Sequence, residues 1–333
     1  MKSILLRYCC HILFLLPLYF NAQGQSTPTK AIEEIDCQCD RERDSLSLLS
    51  FYHATNGPNW ENQWDLRQPI NTWYGIALGP DGCVWTIDMD GLPDFSLKRK
   101  NGNKLKGELP DLILPSLRNL LLASNKLTGS IPEFSYMPHL RVLQLSCNDF
   151  GGLIPSFSKC PDLKALELDY NKLEGTIPDL NQLKKLESLY LLGNNLRGSI
   201  PNFNALVNLK YFIANHNKLS GELPDFRYNA ALRKLLISNN KLDGQLPDLG
   251  HLSELTHLNL SNNELQGSVF DWSFCANLKY IDLSNNQLEG ALSKIRTLSQ
   301  LEVFIVKDNQ LEENIPDPSD LQKLHTFIVS HNQ

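Results

Sequence analysis

Residues 163–178 read L-K-A-L-E-L-D-Y-N-K-L-E-G-T-I-P. Leu166 and Leu168 flank Glu167 with the two-residue period of a strand that buries one face. Asn171 stands where the chain leaves that strand, and Gly175, Ile177 and Pro178 mark the turn beyond. Displaced by 23 residues the pattern returns: Asn125, Asn148, Asn171, Asn194, Asn217, Asn240, Asn263, Asn286, Asn309 and Asn332 keep the spacing without a slip, and Asn103 lies one residue short of it. A unit of this size cannot bury its own leucines, so it must stack on copies of itself. The expected architecture is an α/β repeat solenoid. Short parallel strands form its concave face, and irregular or 3₁₀ turns form its convex face.

Other columns repeat in phase. An asparagine side chain has donors and an acceptor, so a column of them is expected to bond turn backbone within and between coils. Gly107, Gly129, Gly152, Gly175, Gly198, Gly221, Gly244, Gly267 and Gly290 follow each Asn by four residues, and Glu313 breaks that column. Leu112, Phe134, Phe157, Leu180, Phe203, Phe226, Leu249, Trp272, Ile295 and Pro318 make a second apolar spine on the convex side. Asp111, Glu133, Asp179, Asp225 and Asp248 each follow a proline and suit the start of a turn. The same carboxylate stripe raises calcium as a ligand, but it lacks a ligand loop, and turn capping is the reading adopted.

The full unit, L-x-x-L-x-L-x-x-N-x-L-x-G-x-[IL]-P, resembles the leucine-rich repeat family in the L-x-G-x-I-P style of plant receptor ectodomains, a style also present in secreted or surface bacterial proteins. The resemblance covers about three quarters of the chain. The plant-style unit is one residue longer, which separates this chain from plant curvature and ligand geometry. Ahead of the repeats, Asp44 to Thr55 reads as a short amphipathic helix. T-N-G-P-N-W from Thr55, W-Y-G-I from Trp73 and G-C-V from Gly82 follow. This order is similar to the N-terminal cap of bacterial leucine-rich repeat proteins and to the W-x-G-V-x-C cap of plant ones. Trp60, Trp64 and Trp73 read as cap core, with a carbohydrate platform as the competing reading. The resemblance also implies a disulfide from Cys83 to Cys37 or Cys39, and the sequence leaves the choice open.

The expected organisation is a signal peptide over 1–22, a linker over 23–40, the cap over 41–83 and repeats over 84–333, the last of them incomplete. Lys2 and Arg7 precede the apolar run from Ile12 to Phe20, the layout of a cleaved secretory signal. Cys9 and Cys10 lack the small residues before them that a lipoprotein would need, so secretion by cleavage is preferred. The formal charge is −6, and loss of Lys2 and Arg7 takes it to −8. That balance argues against nucleic acid or an anionic membrane surface as partner. Cys160 and Cys275 occupy a leucine slot and read as buried apolar residues, whereas Cys147 reads as an exposed lone thiol. An insertion from Asp90 to Lys100 carries Lys98, Arg99 and Lys100, read as a solvated loop.

Motifs for nucleophilic, metal or phosphate chemistry are missing from the sequence, and the histidines fall out of phase with one another. The chain is therefore read as a non-enzyme with no cofactor and no metal. Function falls to the outward positions of the strands. Tyr190, Leu192, Tyr211, Ile213 and Leu236 become neighbours in the middle coils, flanked by Glu167, Asp169 and Tyr170 on one side and Lys234 on the other. One reading is a binding patch, and the other is plain strand propensity with no ligand. The leading expectation is a secreted or cell-surface recognition module for a protein, peptide or glycan. The alternatives are the sensor of a receptor whose membrane span is missing, or an inhibitor of secreted hydrolases. The chain stops at Gln333 inside a repeat, from which an incomplete chain is expected, or failing that an open end packed on a partner.

Overall fold

Eleven strands in the computed structural model run parallel in one sheet, each supplied by successive turns of the chain, and a twelfth closes the sheet at its N-terminal edge. The structure describes residues 40–90, 102–269, 272, 274–292, 295–312, 319 and 321–332. The signal segment over 1–22 lies outside them, as do Cys37, Cys39, Lys98, Arg99, Lys100, Glu313 and Pro318. Ile76–Leu78 pairs antiparallel with Val84–Asp88, with an irregularity between Ala77 and Leu78. From Val84–Asp88 onward the order follows the chain, through Asn119–Leu121 and Val142–Gln144 to Thr326–Ile328. From Asn119–Leu121 onward adjacent strands keep the 23-residue register, as in Ser188 opposite Tyr211 and Tyr190 opposite Ile213. From Asn119–Leu121 to Val303–Ile305 only the middle residue of each three-residue strand is buried, so one face of the sheet packs inward and the other meets solvent.

A second set of short strands follows the Asn column, where irregular or 3₁₀ turns were expected. Lys172–Gly175, Asn195–Gly198, Lys218–Glu222 and Lys241–Asp243 pair parallel through one sheet that begins at Gly151–Gly152. Their leucines are buried between polar residues, as Leu173 is between the exposed Lys172 and Glu174 and Leu242 between the exposed Lys241 and Asp243. Among the described residues the convex side has a 3₁₀ turn at Ile295–Thr297, and Ser319 is in 3₁₀ conformation too. Between the two sets lies a continuous core. Its leucines, together with Leu112, Phe134, Phe157, Leu180, Phe203, Phe226, Leu249, Trp272 and Ile295 of the convex spine, are almost wholly buried.

Each column asparagine is bonded the same way. Asn171 Oδ1 accepts from Phe150 N at 3.1 Å, and its Nδ2 donates to Leu145 O at 3.0 Å, Leu168 O at 3.1 Å and Asp169 O at 3.3 Å. Leu145 and Phe150 belong to the preceding coil, so one side chain joins two coils where the backbone leaves the sheet. The residue before each Asn is left-handed: Tyr170 has φ 52°, Asn239 56° and Asn285 54°. Gly193 fills that place with φ 69°. The turn that ends the strand imposes this conformation on ordinary residues, and asparagine tolerates it best.

The cap is stitched to the first coil. Its helix spans Arg41–Ala54, three residues earlier than the hydrophobic pattern indicates, because Asp40 Oδ1 accepts from Glu42 N at 3.0 Å and Arg43 N at 3.3 Å. Ser47 Oγ donates to Ile113 O at 2.9 Å, and the buried Asp44 accepts from Val84 N at 2.8 Å. Asn103 bonds the cap in place of a preceding coil, accepting from Asn62 N at 2.6 Å. Trp60, Trp64 and Trp73 are 2%, 4% and 6% exposed. Trp64 packs 4.9 Å from Trp60 and stacks 4.6 Å from Trp73, and each indole donates to a carbonyl. Faces this deeply buried offer no carbohydrate platform.

Candidate functional site

The strand pattern aims Glu167, Asp169, Tyr190, Leu192, Tyr211, Ile213, Lys234 and Leu236 to the outer face of the main sheet. They lie on four consecutive coils whose strands pair residue for residue. Strand spacing of about 4.8 Å makes the side chains of equivalent positions close neighbours. All eight are half-buried rather than exposed, because the wide tyrosine and leucine side chains cover one another. Tyr190 meets Tyr211 edge to face with ring centroids 6.5 Å apart, the arrangement that ring quadrupoles favour. Tyr170, 46% exposed, rises at the strand ends beside Gly193, where an added Cβ would come within 2.9 Å of its ring.

The acidic flank is electrostatically unusual. Burial pushes the Asp169 carboxyl up to about 7, and the charge of Glu167 adds to that, against the bond Asp169 Oδ1 accepts from Leu192 N at 2.8 Å. Burial also raises Glu167 above the ordinary carboxylate range, and it raises the Tyr190 phenol, with the Glu167 charge as the next cause. Further along, burial and the charges of Lys234 and Lys279 lower His257, which stacks 6.1 Å from Tyr280. The carboxylates after the prolines behave as turn caps: Asp179, Asp225 and Asp248 accept from the backbone two residues on, at 2.9, 3.1 and 2.8 Å.

Among the described residues no three His, Cys, Asp or Glu side chains converge to hold a metal ion. No helix among them is long and apolar enough to cross a membrane. Cys160 and Cys275 are buried free thiols, burial holding the first up at about 12 and the second at about 11, and Cys147 is half-buried rather than exposed. Cys83, 1% exposed, is not among the free thiols.

Sequence reasoning put Gln144 and Ser146 on the outward face but not in the site, where they bond Glu167 and Asp169 from the preceding coil. Their row position was readable, but nothing in a lone Gln or Ser signals a partner one coil away. It also missed the backbone bond to Asp169, which recurs where Asn215 Oδ1 accepts from Ser238 N at 2.8 Å.

The leucine rich repeat models match residues 115–173 and 138–196, and again 254–275 and 277–297. These segments are leucine-rich repeats. The chain's repeats are similar to the ectodomain of the plant membrane receptor kinase GASSHO1/SCHENGEN3 from Arabidopsis thaliana, solved in complex with CASPARIAN STRIP INTEGRITY FACTOR 2. That likeness has 32% identity, covers 70% of this chain and 32% of the receptor's, and has a TM-score of 0.60. The protein thus spans about a third of that ectodomain. A plant ice-binding protein is similar at 28% identity over 87% of this chain and 96% of its own, with a TM-score of 0.68. InlJ from Listeria monocytogenes, at 22% identity, 66% and 50% coverage and a TM-score of 0.51, shares the fold. Among curated proteins no sequence matches significantly.

Proposed function

We propose that this protein is a non-catalytic recognition module, secreted or held at the cell surface, that binds a protein or peptide on the outer face of its main sheet. The observation that carries the reading is the contiguous patch of Tyr190, Leu192, Tyr211, Ile213 and Leu236 with charge at both margins. Aromatic anchors inside a polar rim are the usual make-up of binding energy hot spots. Cleavage of 1–22 and a bond from Cys83 to Cys37 or Cys39 belong to the same reading. Tyr190→Ala with Tyr211→Ala is expected to abolish partner capture from the protein's own extracellular medium while far-ultraviolet circular dichroism stays unchanged. Undiminished capture by the double variant would sink the patch.

A second reading is favoured by the length match to the plant ice-binding protein. Against it, the outer strands present Glu174, Arg197, Asp243 and Glu289 at one repeated position, with Ser220 and Gln266 on the coils between. Strongly hydrated charges suit a solvated surface better than an ordered ice-like one. A thermal hysteresis measurement separates the two, and none is expected.

A further inference from the structure

Glu167 and Asp169 lie two residues apart on one strand, so both project from the same face of the sheet beside the Tyr190 ring. Among the described residues no lysine, arginine or histidine forms an ion pair with either of them. Neighbouring carboxylates are treated differently. Glu187 lies between Lys164 at 3.6 Å and Lys210 at 2.6 Å, and Asp162 between Lys185 at 2.5 Å and His139 at 3.2 Å. The groups packed around Asp169 are Gln144, Ser146 and Cys147 on the preceding coil, Glu167 and Tyr170 on its own, and Tyr190 and Leu192 on the next. None of them is a cation. The side chains that reach the two carboxylates are neutral ones, Ser146 bonding Asp169 and Gln144 bonding Glu167 from the preceding coil. Two partly dehydrated carboxylates without a counter-ion are costly to keep, and such sites are commonly completed by a ligand.

Resting on the recognition role proposed above, we infer that the partner is an extended peptide segment that places a guanidinium or ammonium group on Glu167 and Asp169 and two apolar side chains on the rest of the patch. A guanidinium supplies enough donors for both carboxylates, and the electron-rich face of Tyr190 adds attraction for the same cation. The spacing fits a strand laid across the coils. Alternate residues of an extended segment are about 6.8 Å apart, and coils advance about 4.8 Å each. A cation at the Glu167 coil therefore places the residue two further on between Tyr190 and Tyr211. The residue four further on reaches Leu236, three coils away.

The test uses the full chain and a blocked pentapeptide with arginine at its first position, leucine at its third and fifth, and serine between. A twin peptide carries citrulline, the neutral isostere, in place of arginine. Calorimetry is expected to show the arginine peptide binding about tenfold more tightly than the citrulline peptide at pH 8. That difference vanishes in Glu167→Gln with Asp169→Asn and shrinks from pH 8 to pH 6 as Asp169 takes up a proton. Equal binding of the two peptides, lost in the Tyr190→Ala and Tyr211→Ala variant, overturns the cation inference and leaves the patch standing. Binding unchanged in the tyrosine variant overturns the patch itself. Failure of the arginine peptide to bind, or capture of cellohexaose in its place, overturns the inference, the latter in favour of a glycan.

Discussion

At the residue scale, one asparagine closes one coil onto the next. Replacing Asn171 by alanine leaves Phe150 N without its acceptor and three carbonyls with fewer donors in the core edge. Leaving a buried polar group unpaired costs about 1–3 kcal/mol, so Asn171→Ala is expected to lower unfolding free energy by roughly 3 kcal/mol, read from urea denaturation. Asp169 works in the opposite sense. Its native carboxyl titrates at about 7, above the ordinary value of 3.8. Below about pH 4 both folded and unfolded chains hold the proton, and the group has no effect on stability. Between there and pH 7 the native state keeps a proton the unfolded state has released, so stability falls as pH rises, then levels off. Asp169→Asn removes that slope and keeps an acceptor for Leu192 N. It is expected to match the parent protein at pH 4 and exceed it at pH 8 by on the order of 2 kcal/mol, allowing for the water that still reaches the site.

At the element scale, the strands of the main sheet and their register were legible because a fixed 23-residue period leaves no freedom in the pairing. The outer strands were not read, although N-K-L-E-G carries the signal: Leu173 is buried between the exposed Lys172 and Glu174. Three residues of alternation are too few to separate a strand from a turn without the partner coil beside it. The helix start was missed for a related reason, since Asp40 caps through geometry that the apolar pattern of Leu48, Phe51 and Tyr52 does not encode. For the candidate patch, the sequence gives which residues share a face, whereas the half-burial of Asp169 and its missing counter-ion arise only when three coils are stacked. Gly175 illustrates how coils constrain each other. Its φ is 79°, and a Cβ there would strike the Leu153 side chain of the previous coil. Gly175→Ala is expected to cost about 1–2 kcal/mol in backbone strain, and somewhat less with Leu153→Ala beside it, measured as a double-mutant cycle in thermal unfolding.

At the scale of the whole molecule, stability is close to a sum of coil and interface contributions, because each coil touches only its neighbours. The cap then has a role no inner coil shares. It covers the apolar end of the Val84–Asp88 coil and holds it through Asp44, Ser47 and Asn62. Trp64 is the hub of that cap, in contact with Phe51, Tyr52, Trp60 and Trp73. Trp64→Ala removes a buried indole at a cost of about 3–5 kcal/mol. In a globular core that loss would lower protection everywhere, but here it falls on one end of a one-dimensional stack. Amide hydrogen exchange followed by mass spectrometry should show protection lost first in Val84–Asp88, Asn119–Leu121 and Val142–Gln144, while Tyr280–Asp282 and Val303–Ile305 keep the parent rates. Uniform loss across all strands would mean that the stack unfolds as one cooperative block, and that the nearest-neighbour picture does not hold for this chain.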